Sequence, residues 1–93
     1  MRQLAQKFNG KGQVKGFRFT LIKKSDYGYI YKIDTGDAIH YEVFGHKENT
    51  RFDCVSYPSN KAFGLWAWTT SNLERAFDLL EEIDIRKEIL NNE

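Results

Sequence analysis

Ninety-three residues with 41% hydrophobic and 29% charged side chains are enough for one compact domain and too few for two. A net charge of +1 argues against a purely electrostatic coat for nucleic acid, and no apolar run approaches the ~20 residues that span a bilayer, so no membrane role is expected. One cysteine, Cys54, excludes an internal disulfide and points to a reducing, cytoplasmic setting; the opening "MRQLAQKFNGKGQVKG" lacks the apolar centre of a secretory signal.

The near-neutral total hides a polarity. Arg2, Lys7, Lys11, Lys15, Arg18, Lys23 and Lys24 crowd into the first 25 residues with no acid among them. From Glu74 onward seven acids face three bases. Such asymmetry marks either an anionic partner or mutual attraction between a basic strand and an acidic helix.

In chain order, residues 1–12 carry two glycines and little periodicity, and read as a flexible arm. "VKGFRFTLIKK" alternates Phe17, Phe19 and Leu21 with Arg18, Thr20 and Ile22, which is strand patterning. "SDYG" has turn chemistry, because Asp and Gly tolerate the tight backbone of a hairpin. "YIYKI" and "AIHYEVF" supply two further strands around a "DTGD" turn, and "RFDCVSY" reads as a fourth, ended by Pro58. "SNKAF" fits either a single helical turn with Ser59 at its cap and Gly64 at its close, or an irregular loop. "LWAWT" is a fifth strand, in which Trp66 and Trp68, two apart, should share a face. Ser71-Asn72-Leu73-Glu74 matches a capping box, and Leu73, Ala76, Phe77, Leu80 and Ile83 follow as one helical stripe. Ile85 and Ile89 fall off that stripe, so the helix either bends near Asp84 or its end meets a partner.

Short connections between strands favour antiparallel neighbours. The expected fold is therefore α+β and a single domain over 1–93: an arm at 1–12, an antiparallel meander of four to five strands over 13–70, and a C-terminal helix at 71–90 packed on one face. The odd-numbered face, with Phe19, Tyr29, Tyr31, Ile33, Tyr41 and Val43, is the apolar one a helix would cover. The opposite face, offering Arg18, Lys32, His40, Phe44, Tyr57, Trp66 and Trp68, is then left as the working surface, with both tryptophans partly exposed. The competing reading makes those aromatics a second small core beneath the N-terminal arm.

Chemistry is sparse. Cys54 and His40 alternate to opposite faces, which argues against a nucleophilic dyad, and a lone strand cysteine is ordinarily a small buried apolar residue. His40 beside Glu42 shares a face and has acid–base potential, yet nothing marks substrate contacts around it. His40, His46 and Cys54 have no metal-ligand spacing, and "GKG" at 10–12 lacks the strand–loop–helix setting of a phosphate loop. The expectation is a protein that is not an enzyme and uses no metal or cofactor.

"YEVF" at 41–44, "SYPSNKAFGLWAW" and "LERA" resemble a group of small uncharacterised proteins from gut bacteria and their phages, over residues 41 to about 83. The resemblance implies a source and no activity or site residues. In layout alone, strands followed by a helix are similar to the arm-type DNA-binding domains of phage integrases. Two partner classes follow from the residues themselves. A protein partner or second copy would use Trp66, Trp68 and Tyr57 as rigid anchors. A nucleic acid would use the same rings with Arg18, Lys32 and the basic segment, against the repulsion of the acidic helix.

Overall fold

A computed structural model describes residues 1–91. The three long strands form where alternation is strongest: β2 (Arg18–Lys24), β3 (Gly28–Asp34) and β4 (Ile39–Gly45) make a tight antiparallel meander. Ahead of them β1 (Lys7–Asn9) pairs with β2, and a single 3-10 turn at Gly12–Val14 links the two. After β4 the chain leaves the sheet. Glu48–Asn49 (β5) and Cys54–Val55 (β6) form their own small ribbon, and a 3-10 turn at Asn60–Ala62 follows. The chain then returns as β7 (Ala67–Thr70) beside β4 and continues into α1 (Leu73–Asn91). The main sheet runs β1-β2-β3-β4-β7, all antiparallel, with the one helix against it. No helix in the described residues is long and apolar enough to cross a membrane.

Two expectations change at the sheet's borders. Residues 1–12 are not a loose arm: Phe8 of β1 stands opposite Phe19, Arg2 bridges to Cys54, and the Ala5 carbonyl accepts the Tyr31 hydroxyl at 2.6 Å. "RFDCVSY" gives no fourth strand of the main sheet, only the short β6 in the separate ribbon.

Register decides which side the helix covers. Tyr29 pairs with Phe44, Tyr31 with Glu42 and Ile33 with His40, so odd residues of β3 share a face with even residues of β4. Simple odd–even bookkeeping across the turn fails for that reason. The helix covers Ile30, Val43 and Trp68, using Ala76, Leu79, Leu80 and Ile83; Leu73 and Phe77, expected in its stripe, lie exposed on its flank. It sits so close to the sheet that Gly28 is required: a Cβ there would lie 2.7 Å from the Phe44 carbonyl oxygen and 2.8 Å from Leu80 Cδ1.

The other face carries a second core beneath the N-terminal segment and the 55–66 excursion. Phe19, Tyr29, Tyr31, Ile33 and Phe44 are buried there, with Phe8, Phe17, Tyr57, Phe63 and Trp66 packed around them. Tyr57 is the hub, its ring centroid 4.9 to 5.6 Å from those of Phe8, Phe19, Tyr31 and Phe44, all four edge to face, an arrangement aromatic quadrupoles favour.

Candidate functional site

The second core is not closed. Between the β1–β2 connection and the 57–63 segment lies a cleft of about 500 Å³. Phe8, Phe17, Phe19, Pro58 and Phe63 wall it, and Ile33, His40 and Glu42 line it from the sheet. Two elements bring its polar groups together. β4 alternation places His40 and Glu42 on one face, and the chain leaving β6 drops Tyr57 onto them. The Tyr57 hydroxyl donates to Glu42 Oε1 at 2.5 Å, and His40 Nε2 stands 3.7 Å from Glu42 Oε2. The Glu42 side chain keeps 16% of its surface and the His40 side chain 28%, so the carboxylate is largely withdrawn from water but reachable. Burial, and then the Glu42 charge, push the Tyr57 hydroxyl far above the ordinary tyrosine range, so it stays a donor. A half-dehydrated carboxylate among aromatic walls attracts a cation or a strong hydrogen-bond donor.

Of the residues expected to bind, His40 and Tyr57 meet in this cleft. Phe44 is 0% exposed and packs against Tyr57, so it supports the cleft without lining it. Trp66 and Trp68 do not share a face. Gly64, at φ +88°, turns the chain so that its N–H meets the Ala67 carbonyl at 2.8 Å, and strand alternation begins only at Ala67. Trp66 therefore lies in the turn and packs edge-on to Phe44 at 6.3 Å, with the Lys47 ammonium 5.1 Å from its ring centre. Trp68 is half-buried on the helix side, so its placement opposite the helix is overturned. Arg18 and Lys32 also lie on the helix-side face: Arg18 pairs across the strands with Asp34, its Nη2 3.3 Å from Oδ2, and Lys32 pairs with Tyr41. The expected cluster of seven is thus split over both faces.

Phe8, Phe17 and Phe63 are among the cleft residues absent from the set expected to bind. Phe17 alternates visibly, but Phe8 sits in a stretch with no period and Phe63 in a turn, so neither carries a local signal.

A second polar chain lies at the far end of the sheet. The Tyr29 hydroxyl and His46 Nδ1 share a hydrogen bond at 2.8 Å, and His46 Nε2 is 3.4 Å from Glu48 Oε2. Burial and then Glu48 raise the Tyr29 hydroxyl's pKa, and its hydrogen bond to His46 ties β3 to the start of the excursion. Among the described residues no group of three or more His, Cys, Asp and Glu side chains is gathered closely enough to hold a metal ion.

No protein-family model matches the chain, and neither the curated proteins nor the solved structures contain a significant match to it.

Proposed function

We propose that the protein is a non-enzymatic binding module whose working surface is the aromatic cleft on the sheet face opposite the helix. It takes from a protein partner an apolar side chain that ends in a cation. The observation that carries this reading is the Glu42 carboxylate, which lines a cleft walled by phenylalanines with one oxygen accepting the Tyr57 hydroxyl and the other 3.7 Å from His40 Nε2. The carboxylate and the aromatic faces select the same ligand chemistry, a lysine, an arginine or an amino terminus on an apolar stem. Binding rather than turnover is favoured because Tyr57 is held protonated and hydrogen-bonded, a satisfied pair rather than a poised acid and base.

The reading as a nucleic-acid binder that stacks bases on the sheet has less support. Phe44 and Tyr31 are both 0% exposed and Trp68 lies on the helix side, so those rings form no open platform. The test of the cleft uses benzylammonium and neutral toluene as probes, followed by backbone and aromatic chemical shifts. Benzylammonium should shift Glu42, Tyr57 and Phe63 saturably, toluene more weakly, and Glu42→Gln should abolish the difference. Equal response to both probes, or none at the cleft, rules this reading out.

A further inference from the structure

The other side of the sheet poses its own problem. One helix about 10 Å across covers roughly two strands at ~4.8 Å spacing, so a five-stranded sheet under a single helix keeps about 14 Å of its width bare. Here α1 packs on β4, β7 and part of β3, and leaves β1, β2 and the far part of β3 open. That bare strip is cationic. Lys7, Thr20, Lys32 and Tyr41 stand in one row across four strands, with Asn9, Arg18 and Asp34 in the next row and Lys23 beside Ile30 on the other side. None of Lys7, Lys23 and Lys32 has a carboxylate partner within salt-bridge distance among the described residues, and only Arg18 is paired, to Asp34.

The helix beside it is the complement. With Ala76, Leu80 and Ile83 against the sheet, helical spacing turns Glu74, Asp78, Glu81, Ile85 and Ile89 outward in one stripe. Three acids lead that stripe and two isoleucines end it, 51% and 57% exposed. Leu73 and Phe77 add an exposed apolar flank between helix and bare strip.

We propose that this side is the interface of a homodimer in which each protomer's α1 lies over the bare strip of the other. A two-fold axis parallel to the helix, and set between the two halves, does this: sheet, a layer of two helices side by side, sheet. Glu74, Asp78 and Glu81 of one copy then face Lys7, Lys32 and Arg18 of the other, and the Phe77 flanks meet at the axis. Strip and helix together present on the order of 600 Å² in projection. That approaches the ~800 Å² of accessible surface per partner in a stable complex. The charge polarity of the sequence thereby acts between two copies, where within one copy the acids point away from the sheet. The Glu42 cleft is on the opposite side and stays open, so this interface and the binding reading stand or fall separately.

Light scattering across a concentration series tests it, with sedimentation at low and high salt. The wild type should be a dimer whose dissociation constant rises with ionic strength. Two charge-reversed variants should each be monomeric with unchanged circular dichroism: E74K/D78K/E81K, and K7E/K32E. Mixed in equal amounts they should associate with each other, since each helix then faces a strip of opposite sign. A wild type that stays monomeric at several hundred micromolar overturns the proposal. So does a dimer indifferent to both reversals, or a mixture that fails to associate. Finally, a monomer that binds a mixed-sequence single-stranded oligonucleotide through Lys7 and Lys32 would make the strip a polyanion surface and sink the dimer.

Discussion

Asn72 starts the helix. Its side-chain Oδ1 accepts the Arg75 N–H at 3.1 Å and its carbonyl accepts the Ala76 N–H at 3.0 Å, while its own N–H donates to Thr70 Oγ1 at 3.2 Å. The Ser71–Glu74 spacing predicts a capping box one residue earlier, and the displacement has a simple cause. "SN" offers two adjacent cap formers, and only the one whose side chain reaches the third helical N–H satisfies the first turn. With Leu73 as the first helical residue, that one is Asn72. Asn72→Ala should therefore lower stability by ~1 kcal/mol, and Ser71→Ala should change it by no more than a few tenths. Denaturant midpoints of the two variants check this directly, and the reverse order would restore the serine as cap.

At the scale of elements, Asp84 does for the β2–β3 hairpin what a turn sequence alone does not. Its Oδ1 accepts the Ser25 hydroxyl at 2.8 Å and the Tyr27 N–H at 3.1 Å, while Ser25 Oγ accepts the Gly28 N–H. Glu88 extends the same contact, accepting the Tyr27 hydroxyl at 3.1 Å. The helix does not need to bend at Asp84; it crosses a hairpin that it pins. Asp84→Ala should cost about 1–3 kcal/mol by stranding the Tyr27 amide, and should speed that amide's exchange before global unfolding. Asp84→Asn keeps an acceptor and should lose less. Fast exchange confined to other turns would show that the hairpin holds itself. The inner strands were readable because each alternates over seven residues, and the helix because its apolar positions recur at three and four. β1 was not, since three residues with a single inward ring carry no period. The site was half-readable on the same grounds: alternation alone joins His40 to Glu42, but Tyr57 reaches them through an irregular excursion whose path only tertiary packing sets.

The molecule as a whole is a sheet with a core on each side, and one of those cores is unusually rich in phenols. Burial, and then its neighbour Tyr29, raise Tyr31 to about 12 from an ordinary 10.0, and Tyr29 and Tyr57 shift the same way. In the unfolded chain these groups ionise near pH 10, while the fold holds them protonated. Above that pH the unfolded state binds fewer protons than the native one, so stability falls as pH rises. For Tyr31 the contribution is complete below pH 10 and is lost as pH climbs through about 12. Unfolding free energies measured from pH 8 to 12 should show this decline, and Tyr31→Phe should make it shallower. A stability that is flat across that range in the wild type would mean the phenols are not protected.

Strand length carries a last consequence. The inner strands each run seven residues, but the two outer ones, β1 and β7, have three and four. An outer strand is where a sheet can recruit another chain's backbone, and each open amide and carbonyl in a row lengthens the template. Here the template is a few residues at either border, with Lys7 on one of them. Short outer strands give runaway addition of strands, the route to fibrils, less to build on, even though Ile, Phe and Tyr crowd the segments between. In its hydrogen-bonding direction the sheet ends in short strands at both borders, and its two faces are the broader surfaces for meeting other molecules.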